Sequence, residues 1–259
     1  TDVAGNAGTT YTENSSGVFI DNTSPTITSV AVDGNNTQIE LTLSEEVYSN
    51  SNGSGALGAT DVYLVLTGGT ATLSSYYPTA ITPIGDDLSR YTLTIDTILQ
   101  GSVQGSEVIT ITPNVDSMYD SAGNVASVTQ SNNTVQLNDT SLPSMTTVSI
   151  SSDNGNPSLA KAEDRITLDL ICDESVSVPT VSFNSGLNPV NGAVTITPNS
   201  GNNTTYTATY VVDSNDTDGN VTFSVSNFQD ANGNTGNTAT IVTDSTSVSV
   251  DTTEPTISS

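Results

Sequence analysis

The chain holds 259 residues, with 28 Asp and Glu against 3 Lys and Arg and no His, a formal net charge of −25 at pH 7. Only Arg90, Lys161 and Arg165 could meet phosphates, which excludes DNA, RNA and anionic lipid as partners, since such binding rests on clustered cations that release counterions. The lack of His also removes the usual general base of Ser and Cys hydrolases and the commonest zinc ligand, so the chain is expected not to be an enzyme.

At about 150 residues per domain, the length predicts two domains, each able to build a core without staples. Cys172 stands alone, so no intrachain disulfide can form. No apolar run approaches the roughly 18 residues of a membrane span, and Thr1 lies in polar sequence without a charged-then-apolar leader. The chain therefore reads as a soluble piece of something longer. Hydrophobic residues make up 34%, low against the roughly 45 to 50% usual for globular proteins, so disorder has to be weighed. Against it stand many short stretches in which β-branched and aromatic residues alternate with polar ones, the period of a half-buried strand.

In chain order, residues 11–20 are strand-like, and 38–43 is the clearest strand. Ile39, Leu41 and Leu43 share one of its faces, and Gln38, Glu40 and Thr42 the other. Residues 61–67, 90–95, 107–112 and 125–137 follow. The second half offers seven strands, at 147–151, 165–172, 180–183, 193–197, 205–212, 220–226 and 238–250. Gly, Asn, Asp and Ser clusters separate them, and nowhere does an apolar i, i+3, i+4 pattern persist for the 10 to 12 or so residues of a helix. The fold class expected is all-β, with two packed antiparallel sheets per domain and almost no helix.

An internal repeat sets the boundaries. Asp2-Val3-Ala4-Gly5-Asn6 returns as Asp120-Ser121-Ala122-Gly123-Asn124 and as Asp230-Ala231-Asn232-Gly233-Asn234, at intervals of 118 and 110 residues. A second marker keeps nearly the same period: Asp21-Asn22-Thr23-Ser24-Pro25, Asp139-Thr140-Ser141-Leu142-Pro143 and Asp251-Thr252-Thr253-Glu254-Pro255. Two independent markers in step define a repeat of about 115 residues. Proline after a polar stretch marks the start of a first strand, because it cannot donate to a central ladder. Residues 1–24 then read as the end of a preceding repeat, 25–142 and 143–254 as complete repeats, and 255–259 as the start of another.

These residues carry a resemblance. A Ser-Glu-Glu-Val or Asp-Glu-Ser-Val segment after the second strand, an Asp-x-Ala-Gly-Asn loop before the last, and an Asp-Thr-x-x-Pro linker together resemble the bacterial immunoglobulin-like tandem repeats of giant secreted and cell-surface adhesins. The resemblance covers essentially the whole chain. It implies tandem immunoglobulin-like β-sandwiches placed end to end as extender modules outside the cell, with calcium stiffening the junctions. The partners it implies are neighbouring repeats of the same chain.

In such a sandwich, the loop between the second and third strands and the loop between the sixth and seventh lie at the end where the first strand begins. That places Glu45 and Glu46, Asp116 and Asp120, and Asp21 of the incoming linker at one end of the first repeat. In the second repeat it places Asp173 and Glu174, Asp230, and Asp139 together. Without Lys or Arg nearby, a hard divalent cation would neutralise them. Ca2+, which takes six to eight oxygens in loose geometry, suits them better than the strictly octahedral Mg2+. The loop motif has another reading that needs no metal: Asp can cap its own backbone, Gly supplies positive φ, and Asn tolerates the left-handed region. Asp213, Asp216 and Asp218 match a calcium loop poorly, and their Asp/Asn/Gly chemistry reads as a solvated turn. Cys172 continues the inward series Ile166, Leu168 and Leu170 and reads as a small buried thiol.

The function expected is a structural spacer of a bacterial cell-surface adhesin. Two alternatives stay open: a building unit of an extracellular filament or surface layer, in which residues 11–20 complete the sheet of a like chain, and an accessory module of a secreted polysaccharide-active enzyme.

Overall fold

The computed structural model describes residues 20–199, 201 and 203–257. The loop motif at residues 2–6, nearly all of the strand-like stretch 11–20 and residues 258–259 lie outside them. The chain divides into two compact units, Thr1–Asn138 and Asp139–Ser259. The division falls ahead of the proline that marks the sequence repeat. The reason is local: the carbonyl of Asp139 accepts a hydrogen bond from Asn234 Nδ2, which ties the linker to the unit that follows it.

In unit 1 the strands are β1 (Ile27–Val32), β2 (Gln38–Leu43), β3 (Val62–Thr67), β4 (Thr72–Leu73), β5 (Ala80–Ile84), β6 (Asp87–Thr94), β7 (Leu99–Gln100), β8 (Val108–Pro113) and β9 (Thr134–Gln136). One sheet runs β1-β2-β6-β5 and the other β3-β8-β9, with β4 and β7 as a small separate pair. With the seven main strands lettered in chain order, these are the A-B-E-D and C-F-G sheets of an immunoglobulin-like sandwich. Period-2 alternation builds the core between them. Ile39, Leu41 and Leu43 of β2 and Leu93 of β6 meet Leu64 of β3 and Ile109 and Ile111 of β8, all buried. A single 3-10 turn at Ala59–Asp61 is the helical content of the described residues.

Unit 2 comprises β10 (Met145–Ser152), β11 (Leu159–Ala160), β12 (Arg165–Cys172), β13 (Thr180–Ser185), β14 (Asn188–Pro189), β15 (Thr195–Pro198), β16 (Thr205–Val211), β17 (Gly219–Ser226) and β18 (Ser249–Val250). Its sheets run β10-β12-β16-β15 and β11-β18-β17-β13-β14, again A-B-E-D against the strands C, F and G, here with an extra strand at each edge. Ile166, Leu168, Leu170 and Cys172 point inward as their spacing requires, against Tyr206, Ala208, Phe183, Phe223 and Val225. Cys172 is buried in this core, and burial pushes its thiol up to about 11, helped by the nearby charges of Asp173 and Glu174.

Two main strands of unit 1, β1 and β5, escape sequence reading, as does the small pair β4 and β7. In β1 a bulge between Ile27 and Ser29 breaks the alternation, and β5 contains Pro83, which the sheet tolerates because β5 is an edge. Conversely, the long runs at 125–137 and 238–250 contain only the short strands β9 and β18. The second run changes partners as it proceeds. Ala239 bridges to Val225, Thr243 N–H donates to the Val148 carbonyl, and only Ser249 and Val250 pair with both β17 and β11.

Candidate metal centre

Each unit gathers three carboxylates at one end. In unit 1 these are Asp21 before β1, Glu45 just after β2 and Asp120 between β8 and β9. In unit 2 they are Asp139, Glu174 just after β12 and Asp230 between β17 and β18. In both, one ligand oxygen from each residue lies within 4.8 Å of those of the other two.

The loop that presents the buried member is built the same way twice. Asp120 Oδ1 accepts the N–H groups of Ala122 and Asn124 at 2.9 and 2.8 Å, and Oδ2 accepts Asn124 Nδ2 at 2.7 Å. Asp230 Oδ1 accepts Asn232 and Asn234 N–H at 2.8 and 2.9 Å, and Oδ2 accepts Asn234 Nδ2 at 2.7 Å. Gly123 sits at φ 93°, where a Cβ would come within 2.6 Å of the Ser51 carbonyl oxygen, so both its conformation and the close approach require glycine. The Asn that closes each loop also reaches the incoming linker: Asn124 Nδ2 donates to the Asp21 carbonyl at 3.1 Å, and Asn234 Nδ2 to the Asp139 carbonyl at 3.2 Å. Asp139 is held further, its Oδ2 accepting Asn232 Nδ2 at 3.0 Å.

The members of each cluster differ electrostatically. Burial opposes ionisation of Asp120, but hydrogen bonds from the Asn124 side chain and from the Asn124, Gly123 and Ala122 N–H groups outweigh it and hold the carboxyl below its ordinary value. Asp230 follows the same pattern with Asn234, Asn232 and Gly233. Glu45 is pushed up, first by burial and then by the charges of Asp120 and Asp21. Glu174 is likewise raised by burial and by Asp230, Asp139 and Asp173. No protein donor reaches the Glu45 or Glu174 carboxylate among the described residues. Each cluster thus holds an ionised, buried aspartate facing a glutamate without a positive partner.

Three of the residues expected at these ends fall outside the clusters. Glu46 turns to accept a hydrogen bond from the Tyr48 hydroxyl at 3.0 Å, as adjacent residues at a strand end point opposite ways. Asp116 is exposed in a turn at φ 52°. Asp173 holds the residue just before β10, accepting the Ser144 N–H at 2.9 Å and the Ser144 hydroxyl at 2.7 Å.

Two buried carboxylates elsewhere were not legible as such. Glu107, fully buried, accepts the N–H groups of Thr70 and Ala71 on Oε1 and those of Gln104 and Ser106 on Oε2. Asp216 lies in a turn between β16 and β17, as its surroundings suggested, but that turn is not solvated at its centre. The residue is only 4% exposed and accepts Asn191 N–H and Nδ2 on Oδ1 and the Asp213 N–H on Oδ2, and it belongs to neither carboxylate cluster.

No protein-family description matches the chain, and no curated protein does. Among solved structures, it is similar to the N-terminal part of the bacterial S-layer protein SbsC, with TM-score 0.32 and 13% identity over 88% of this chain and 44% of that one. It is also similar to a titin structure, A168169, with TM-score 0.26 and 9% identity over 90% of this chain and 100% of that one. The titin Ig tandem domains A164-A165 give TM-score 0.24 and 14% identity over 89% and 98%. The chain thus spans less than half of the S-layer fragment it matches. The immunoglobulin-like assignment of each unit stands on its strand order. No helix among the described residues is long and apolar enough to cross a membrane.

Proposed function

We propose that the chain is a pair of structural extender repeats from a bacterial secreted or cell-surface protein of the adhesin type, without catalytic activity, and that each repeat binds one Ca2+ at its acidic cluster. The observation that carries this reading is the duplication: two sandwiches place the same three carboxylates together and use the same Asn to hook the same linker carbonyl. The donor set fits a calcium ion. Three carboxylates supply three to six oxygens, water completes a shell of six to eight, and Asp120 Oδ2 and Asp230 Oδ2, each holding one donor, keep a lone pair free. A bound cation would neutralise Glu45 and Glu174 and cross-link the linker to two loops of the same unit, stiffening the point where the chain enters each repeat.

Isothermal titration with CaCl2 should show two sites per chain. Glu45→Gln should weaken one and Glu174→Gln the other. An absence of binding at millimolar Ca2+ would remove the cation from this function. The extender role is tested separately by size-exclusion chromatography with light scattering: a monomer over a wide concentration range supports it, and spontaneous polymers point to a filament unit instead.

A further inference from the structure

We infer that the two units resist stretching unequally, unit 2 being the stronger, because among the described residues backbone hydrogen bonds join its early strands β10 and β11 to its late run, where unit 1 uses side chains. This goes beyond the extender reading, since neither calcium nor the parent protein enters the argument.

In unit 2 the late run 243–251 lies along the beginning of the unit. Thr243 N–H donates to the Val148 carbonyl of β10 at 2.8 Å, Ser249 N–H to Ser158 at 2.9 Å and Asp251 N–H to Ala160 at 2.9 Å. β11 and β18 pair in parallel, Leu159 with Ser249 and Ala160 with Val250. When the ends of a unit are pulled apart, a parallel pair made of an early and a late strand is drawn in opposite directions along its axis. Its hydrogen bonds are then loaded together in shear and cannot open one at a time. Beyond β18 the chain is held again: Asp218 accepts Thr252 N–H and Oγ1 on Oδ1 at 2.7 and 2.8 Å, and Thr253 Oγ1 on Oδ2 at 2.6 Å.

Among the described residues of unit 1 no parallel pair joins β1 to β9. Ile27 N–H reaches the late run only through Gln130 Oε1 at 2.8 Å. The chain leaves through a clasp of two asparagines: Asn138 N–H donates to Asn36 Oδ1 at 2.9 Å, Asn36 Nδ2 to the Asn138 carbonyl at 2.8 Å, and Asn138 Nδ2 to the Asp33 carbonyl at 2.9 Å. Side chains can rotate as load is applied, so these links yield in sequence.

Single-molecule force spectroscopy on the full chain, pulled from its termini, reads the difference directly. Ten glycines inserted between Gly85 and Asp86, at the exposed turn joining β5 to β6, mark unit 1 by adding about 35 Å to its extension at roughly 3.5 Å per residue. The event carrying the extra length should occur at the lower force. If it occurs at an equal or higher force, the inference is overturned. In Asp251→Pro, which deletes the N–H bonded to Ala160 at the end of β18, the excess force of the unmarked event should fall toward that of unit 1. An unchanged force in a variant with a native circular dichroism spectrum overturns the shear mechanism. The order of events in the glycine-marked chain, with Asp251 unchanged, decides the asymmetry even if that variant does not fold.

Discussion

Glu107 gives both carboxylate oxygens to four backbone N–H groups from two loops, and Gly69, at φ 54°, lets it approach by carrying no Cβ in its path. Burial opposes its ionisation, the N–H groups of Ala71, Gln104 and Thr70 more than offset that, and the carboxyl sits below its ordinary value of 4.5. A depressed carboxylate stabilises the fold above its unfolded value, and that contribution is lost as pH falls through the depressed one. Glu107→Gln can accept on one oxygen only and turns its amide toward two donors. Unit 1 should lose about 2 to 3 kcal/mol in urea melts at pH 7, with a smaller loss below pH 4.5 as the wild-type residue itself protonates. Tyr210 presents the opposite case. Its hydroxyl is buried beside Phe183 without a partner among the described residues, and burial, with Asp216 nearby, raises its pKa well above the ordinary 10.0. Tyr210→Phe should leave stability unchanged or raise it by up to about 1 kcal/mol, because an unsatisfied hydroxyl is removed while the ring stays. A clear loss of stability would show that the hydroxyl is satisfied by bound water.

The element that defines the candidate site is the loop between the sixth and seventh strands. Asp120 serves two ends there, shaping the loop through its N–H bonds and facing Glu45 across the cluster. The two roles separate by mutation. Asp120→Ala should destabilise unit 1 by about 1 to 3 kcal/mol with or without calcium, through the donors it strands, and should abolish the first site. Glu45→Gln should do the reverse in chelator. Because the folded-state pKa of Glu45 is raised, its charge weakens the fold above that value, so neutralising it should stabilise unit 1 by a few tenths to about 1 kcal/mol while reducing the gain from Ca2+. For the same reason, mild acidification toward the raised values of Glu45 and Glu174 should stabilise calcium-free protein, before loss of Asp120, Asp230 and Glu107 ionisation destabilises it at lower pH. Thermal melts of both variants across pH, with and without chelator, check the signs. The loops could be placed from sequence because their motif recurs. The individual ligands could not, since Glu45 and Glu46 are equivalent on paper and only the direction of the chain after β2 selects Glu45.

For the whole molecule, a net charge of −25 with three cations means self-repulsion everywhere, relieved by only two ion pairs among the described residues, Arg90 with Glu40 and Lys161 with Asp164. Screening should therefore stabilise the chain, so its melting temperature should rise with NaCl up to about 0.5 M. At matched ionic strength Ca2+ should raise it further, by the free energy of binding to the native state alone, about 2.7 kcal/mol per site at a hundredfold excess over Kd. Equal effects of Ca2+ and NaCl at matched ionic strength would leave only screening.

Composition, period and alternation were enough to establish an all-β chain with two sandwich repeats, a core carried by Ile39, Leu41, Leu43, Ile166, Leu168 and Leu170, and a thiol turned inward at Cys172. These properties are local, since a strand's face is set by residues two apart and a repeat by its own recurrence. Tertiary structure alone decided which carboxylates meet, that Glu107 and Asp216 are buried and bonded rather than solvated, and that the late run of unit 2 pairs in parallel with its beginning. Each of these depends on residues some 25 to 100 positions apart, brought together by strand order and by turns whose direction leaves no periodic trace in the sequence.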